Sequence, residues 1–256
     1  MNSVRLVQFT DTHLLADPLA RMRGAAVQPR LRACVAHARR RFFPADAIAL
    51  TGDLVHDDAA GYDVLAGMFA EDRIPVMPIA GNHDLPGEMR RRLNRPPFAF
   101  DPLQRIGPWS IVLLESWFAA SMDGEGRLGD SQLEGLERLL RDCRTTHTLV
   151  LLHHPPILMD APGLDDLRLM DGPQLLATIA RHPHVRGVAW GHAHQALDRL
   201  LPGDVRLMCT PATCMQFKPH SPNFEVDDRP PGYRVMDLRA DGSIATEVVW
   251  LEGYTD

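Results

Sequence analysis

The sequence predicts an α/β protein in which two sheets pack face to face with helices outside. Three observations carry this expectation. Short apolar runs alternate with helical patterns through the first three quarters of the chain. The last quarter holds strand-like runs with hardly a helix between them. Polar clusters fall where the expected strands end, which is where open α/β sheets bind ligands.

Val4–Thr10 predicts the first strand. Leu31–Phe42 predicts an amphipathic helix, with Leu31, Cys34, Val35, Ala38 and Phe42 on one stripe and the arginines opposite. Strands follow at Ala47–Thr51 and Pro75–Ala80, with a helix at Gly61–Glu71 between them. Trp109–Leu114 is expected as a strand. Asp130–Arg141 predicts a helix capped by Asp130 or Ser131, with Leu133, Leu136, Leu139 and Leu140 inward. Thr148–Leu152 and Val185–Trp190 read as strands around a helix at Gly172–Arg181. Val205–Cys209, Tyr233–Leu238 and Ile244–Trp250 complete the strands, and Ala240-Asp241-Gly242-Ser243 predicts a hairpin turn.

No linker divides the 256 residues, so a single domain over 1–256 is expected. Hydrophobic residues at 45% and charged residues at 23% exclude a disordered chain. The net charge of −6 argues against a nucleic-acid or anionic-membrane partner. Lys218 is the only lysine, so the basic charge is almost all arginine. Cys34, Cys143, Cys209 and Cys214 form no C-x-x-C pair and read as small buried hydrophobes. Met1–Phe9 does not resemble a signal peptide, and no apolar run approaches the ~20 residues of a membrane span. A soluble cytoplasmic protein is expected, and a homo-oligomer stays open.

Five expected strands end in metal-ligand residue types: Asp11-Thr12-His13, Gly52-Asp53, Gly81-Asn82-His83-Asp84, His153-His154-Pro155-Pro156 and Gly191-His192-Ala193-His194. Singly, each fits a helix cap, a turn or a structural histidine. Five such ends together do not. Carboxylate, imidazole and amide oxygen suit hard to borderline ions such as Mn, Fe or Zn. Cysteine is absent from the clusters, which excludes a zinc-finger or iron–sulfur site. Strand alternation would send Asp11 with His13, and His192 with His194, to one face. Seven ligands are too many for one ion and suit two, provided that one carboxylate bridges.

The order D-x-H, G-D, G-N-H-D, H-H-P-P, G-H-x-H resembles the calcineurin-like metallophosphoesterase superfamily, over Asp11 to His194. That resemblance implies a four-layer α/β/β/α sandwich of two mixed sheets with flanking helices, with the β-rich tail in the second sheet. It implies Asp11, His13 and His194 as ligands of one metal, Asn82, His153 and His192 as ligands of another, and Asp53 bridging both. His153 is preferred to His154 because the family pattern is His-x-Pro. His83 would be the catalytic histidine, near the metals but not bound to them, with Asp84 either orienting it or capping a turn. His13, Asp53, Asn82, His83 and His194 would meet substrate. The cofactors implied are two divalent or mixed-valence ions, Fe or Mn first and Zn as a further option, and a metal-bridging hydroxide would attack phosphorus.

Gly52-Asp53-Leu54-Val55-His56-Asp57-Asp58 departs from the protein serine/threonine phosphatases, which place a substrate-clamping arginine there. The tail Thr210–Pro219, Asn223-Phe224 and Pro231-Gly232-Tyr233-Arg234 resembles the bacterial class III 3′,5′-cyclic-AMP phosphodiesterases. Hydrolysis of cyclic AMP to 5′-AMP is therefore expected, with a glycerophosphodiesterase or broad-specificity phosphodiesterase as the alternative. All seven ligand positions are filled, which argues against a non-enzymatic scaffold. Pro155–Met170 reads as a substrate-facing loop or a plain surface connection.

Overall fold

The computed structural model describes residues 3–144 and 146–256; Met1 and Asn2 of the expected first segment lie outside them. Two mixed sheets dominate. The first runs Ile244–Trp250, Gly232–Leu238, Val4–Phe9, Ala47–Thr51, Val76–Ile79 across its width. Its last three strands are parallel, and Gly232–Leu238 is antiparallel to both of its neighbours. The second runs Leu197–Leu200, Arg206–Cys209, Val185–Trp190, His147–Leu151, Trp109–Leu113, Leu103–Ile106. Its four central strands are parallel and its two edges antiparallel.

Both faces of each sheet are covered, so the central strands are apolar on both sides rather than alternating. Leu6, Ala47, Ala49, Met77 and Ile79 face Trp109, Ile111, Leu149, Leu151 and Ala189 between the sheets. Val7, Phe9, Ile48 and Leu50 point the other way, under the helices Val27–Phe42 and Gly61–Phe69. Val112, Val150, Val188 and Leu207 lie under Gly129–Asp142 and Gly172–Ala180. Three apolar seams thus separate four layers, α/β/β/α, as expected.

A chain of polar groups crosses the inter-sheet core near the site. Gln8 Nε2 donates to Thr51 Oγ1 (2.8 Å) and to the Trp190 carbonyl (3.2 Å), and Thr210 Oγ1 donates to Gln8 Oε1 (2.7 Å). The Arg234 guanidinium, buried on the first sheet, donates to the Cys209 and Leu197 carbonyls on the second, at 2.8 and 2.9 Å. Buried polar groups are tolerated when paired in this way. The Gly-Tyr-Arg signature of the tail is therefore a tie between sheets.

Several expectations need correction. The tail does not all join the second sheet: of the strands expected there only Arg206–Cys209 does, and the hairpin Gly232–Trp250 extends the first. Antiparallel pairing of that hairpin with Val4–Phe9, in the register Leu6 opposite Met236, supplies the reason. Neither Asp130 nor Ser131 caps its helix, which starts at Gly129. The Asp171 carboxylate instead accepts the Leu128 and Gly129 N–H groups at 3.1 and 2.7 Å. The helix Pro86–Leu93 was not expected, because its only buried residues are Met89 and Leu93 among four polar neighbours. The edge strands Leu103–Ile106 and Leu197–Leu200 also lack an apolar run. The expected turn at Ala240–Ser243 forms, with Gly242 at φ +85°.

Candidate metal centre

The five parallel strands Val4–Phe9, Ala47–Thr51, Val76–Ile79, His147–Leu151 and Val185–Trp190 all deliver their carboxyl ends to one edge, three from the first sheet and two from the second. Strand alternation does not aim the ligand types, since the strands stop at Phe9 and Trp190. Asp11, His13, Asp53, His192 and His194 instead adopt positive φ, between 44° and 62°. Such residues are costly for the backbone and persist where surrounding bonds over-determine them. Here the Asp11 N–H donates to the Gly52 carbonyl (3.0 Å) and the His13 N–H to the Asp53 carbonyl (2.9 Å). The His192 N–H donates to the Asp11 carboxylate (3.0 Å), and the His83 N–H to Asp53 Oδ1 (2.9 Å).

Two glycines permit the close approach. A Cβ on Gly81 would sit 2.3 Å from Asp53 Oδ1 and 2.6 Å from His153 Nε2. One on Gly191 would sit 1.9 Å from Thr10 Oγ1. Any side chain at either position would displace the groups around which the loops close.

The ligand atoms gather in two sets. In one, His13 Nε2 lies 3.3 Å from His194 Nε2 and 3.6 Å from Asp53 Oδ2, and His194 Nε2 lies 3.3 Å from Asp11 Oδ1. In the other, His153 Nε2 lies 3.3 Å from Asn82 Oδ1, 3.2 Å from His192 Nδ1 and 3.5 Å from Asp53 Oδ1. His192 Nδ1 is 3.0 Å from Asn82 Oδ1. Ligand atoms about 2.1 Å from a shared ion stand roughly 3.0–3.4 Å apart, so both sets have the spacing of a coordination sphere. Asp53 offers one oxygen to each set. Carboxylate, amide oxygen and imidazole nitrogens converge in each set, which is the chemistry of cation sites.

Outer bonds support this orientation. His153 Nδ1 lies 2.8 Å from the Thr51 carbonyl and His194 Nδ1 lies 2.7 Å from the Met215 carbonyl. Each carbonyl holds the proton on Nδ1 and leaves Nε2 bare for a metal. The Met215 bond brings in the tail, whose Phe217 ring also lies over His194 at 4.7 Å. His192 Nε2 is buried without a partner, so its polarity is spent only on the Nδ1 side. Burial pushes His13 down to about 3 and His192 well below the usual histidine range, favouring the neutral ligand form. Burial also disfavours charge on His153, but the Asp53 carboxylate outweighs it and lifts that imidazole to about 9. Asp11 likewise overcomes burial and raises His194. A cation entering the site exchanges with those protons.

His83 belongs to neither set. Its Nδ1 lies 3.3 Å from Asp57 Oδ2, and its ring borders the cleft. Asp84, expected either to orient His83 or to cap a turn, makes no hydrogen bond to its ring. The buried Asp84 carboxylate accepts the Leu54, Val55 and Gly81 N–H groups and the Tyr62 hydroxyl, which clamps two loops together. Burial, then the nearby Asp53 charge, pushes Asp84 up to about 6 against those bonds. His154 has both nitrogens engaged, Nδ1 with Ser116 Oγ at 2.7 Å and Nε2 with the Gly124 carbonyl at 3.1 Å, so the geometry favours His153 as the ligand.

A cleft of about 730 Å³ opens over the two sets. His13, Asp53, Asn82, His83, His192 and His194 line it, while Asp11 and His153 are not among its walls. Its walls also include Arg23, Trp117, Met122, Phe217 and Phe224. Leu164 and Leu167 show that Pro155–Met170 faces the cleft. The sequence profile that decides the family, described as calcineurin-like phosphoesterase, matches residues 4–196.

The chain belongs to the calcineurin-like phosphoesterase family.

Within that family the chain is 39% identical over 249 residues to the 3′,5′-cyclic adenosine monophosphate phosphodiesterase CpdA of Escherichia coli (strain K12), covering 96% of this chain and 89% of the relative. It is 34% identical to the protein of the same name from Pseudomonas aeruginosa, over 96% and 89% of the two chains. The fold also matches a dimetal phosphatase from Danio rerio, with a TM-score of 0.71 at 13% identity over 96% and 98% of the chains. The protein TT1561 of Thermus thermophilus matches with a TM-score of 0.63 at 17% identity, over 96% and 99%. Sequence reasoning on this phosphoesterase missed Asp57 and His56 as neighbours of the centre. They follow Asp53 in a segment whose only signal was its departure from another family.

Proposed function

We propose that the chain is a two-metal phosphodiesterase that hydrolyses 3′,5′-cyclic AMP to 5′-AMP. Identity of 39% and 34% to two CpdA phosphodiesterases over 96% of this chain is the observation that carries the substrate. The shared Asp53 between two donor sets supports the metal count. Asp11, His13 and His194 would hold the first ion, Asn82, His153 and His192 the second, and Asp53 would be shared by both. When bound, two divalent ions neutralise the charge on a phosphodiester and make hydroxide available near neutral pH.

The chain's own residues do the rest. Asp11 and Asp53 bring two negative charges, so a centre holding two divalent ions would keep a positive excess suited to a monoanionic diester. His83 stands at the cleft with Asp57 behind it, placed to give a proton to the departing 3′-oxygen. Phe217, Phe224 and Trp117 offer apolar surface to a nucleoside. A cleft of about 730 Å³ suits a ligand of that size.

Chromatography of a cyclic-AMP digest by the metal-loaded protein tests the assignment. 5′-AMP should accumulate, without 3′-AMP or adenosine. No conversion of cyclic AMP, alongside rapid cleavage of glycerophosphodiesters, would move the function to the broader alternative.

A further inference from the structure

Three histidines aim a ring nitrogen at other ligand atoms through Nε2: His13, His153 and His194. For each to serve as a neutral ligand, the remaining proton must sit on Nδ1. His153 and His194 place that proton on main-chain carbonyls. His13 differs. Its Nδ1 lies 3.2 Å from Nδ1 of His56, a side chain. With the proton on His13, His56 Nδ1 accepts it and His56 Nε2 carries the second ring's own hydrogen.

The surrounding backbone fixes this pairing before any ion arrives. The Leu14 N–H donates to the Leu54 carbonyl (3.0 Å) and the His56 N–H to the Leu14 carbonyl (3.1 Å). These bonds sew the loop bearing His13 to the loop bearing His56, in a short parallel bridge of Leu14 with Val55. The His56 ring also lies 4.2 Å from that of His83 and 5.2 Å from that of His13, and those two are 5.3 Å apart, so the three rings pack against one another as a cluster. His56, Asp57 and His83 are close enough together to suggest a further ion site. The tautomer argues against it, because the nitrogen facing His13 is an acceptor already in use and the other bears hydrogen.

We propose that His56 is a positioning residue that fixes the tautomer and ring angle of His13, and thereby the hold of the first ligand set on its ion. This rests on the two-metal assignment above. Partners of metal-bound histidines typically alter affinity by about 10–100-fold when removed. The effect should fall on one ion, because neither His153 nor His192 touches His56.

The test uses the full chain loaded with Mn²⁺ and equilibrated against graded EDTA, with bound manganese counted per chain. His56→Leu keeps bulk and removes the acceptor; His56→Asn restores an acceptor atom close to the place of Nδ1. The leucine variant should release one of its two ions at about 10–100-fold lower chelator than the unaltered protein, with the other ion unchanged. The asparagine variant should return to within about threefold. Circular dichroism on both variants separates loss of the ion from loss of the fold. Wild-type retention in His56→Leu, or an asparagine variant no better than leucine, would overturn the proposal. Failure of the unaltered protein to hold two ions would overturn the two-metal assignment itself, a result seen before any substitution.

Discussion

The seam between the sheets and the edge where the strands end are built from the same strands and by opposite means. In the seam, Leu6, Ala49, Leu149 and Leu151 are interchangeable in kind: each is apolar, buried and extended. At the edge, Asp11, His13, Asp53, His192 and His194 hold positive φ, and Gly81 and Gly191 have no room for a Cβ. The seam spreads its energy over many contacts, so one loss weakens the whole slightly. The edge concentrates its function in single atoms, so one loss removes a capability and leaves the sandwich standing.

Substitutions at the two places sharpen that contrast. Asp53→Ala should have the largest effect. It removes an oxygen from both donor sets, so metal content and turnover should fall together to background while the fold survives. Full metal content with near-normal turnover would break the assignment of a shared carboxylate. His83→Ala comes next. It should keep both ions and lose about 10²–10³-fold in rate, the scale on which proton donation or charge stabilisation contributes singly. Comparing an ester with a very good leaving group against cyclic AMP checks the proton: the loss should be smaller for the good leaving group. Leu6→Ala in the seam should affect activity least. Truncating a fully buried leucine costs about 2–5 kcal/mol of stability, visible in denaturant unfolding, with turnover per folded molecule unchanged.

The same contrast explains what could be read in advance. Strands such as Ala47–Thr51 and Val185–Trp190 were legible to the residue, because a doubly buried strand advertises itself as an apolar run. The ligand types were legible because five of those runs ended in Asp, Asn or His. The turned backbone that aims them was not, since Asp11 or His194 at positive φ leaves no mark in composition. Roles settled by long-range neighbours were also hidden. Asp57 rather than Asp84 stands behind His83, and Asp171 rather than Asp130 meets the helix start at Gly129. Edge strands such as Leu197–Leu200 are mostly exposed and show no pattern to find.

The division of the tail between the sheets also sets an order of events for a chain emerging from the ribosome. Val4–Phe9 lies in the middle of the first sheet, flanked on one side by Gly232–Leu238, with Val4 opposite Leu238. Contacts so distant along the chain must await synthesis past Leu238, and closing such long loops slows assembly. Thr213 and Met215, which reach back to the Thr10 carbonyl and to His194, arrive just before that hairpin. A polypeptide not yet extended past Met215 therefore carries Asp11, His13 and Asp53 without the segment that steadies His194, and the proposed metal centre would be completed only once that segment has been made.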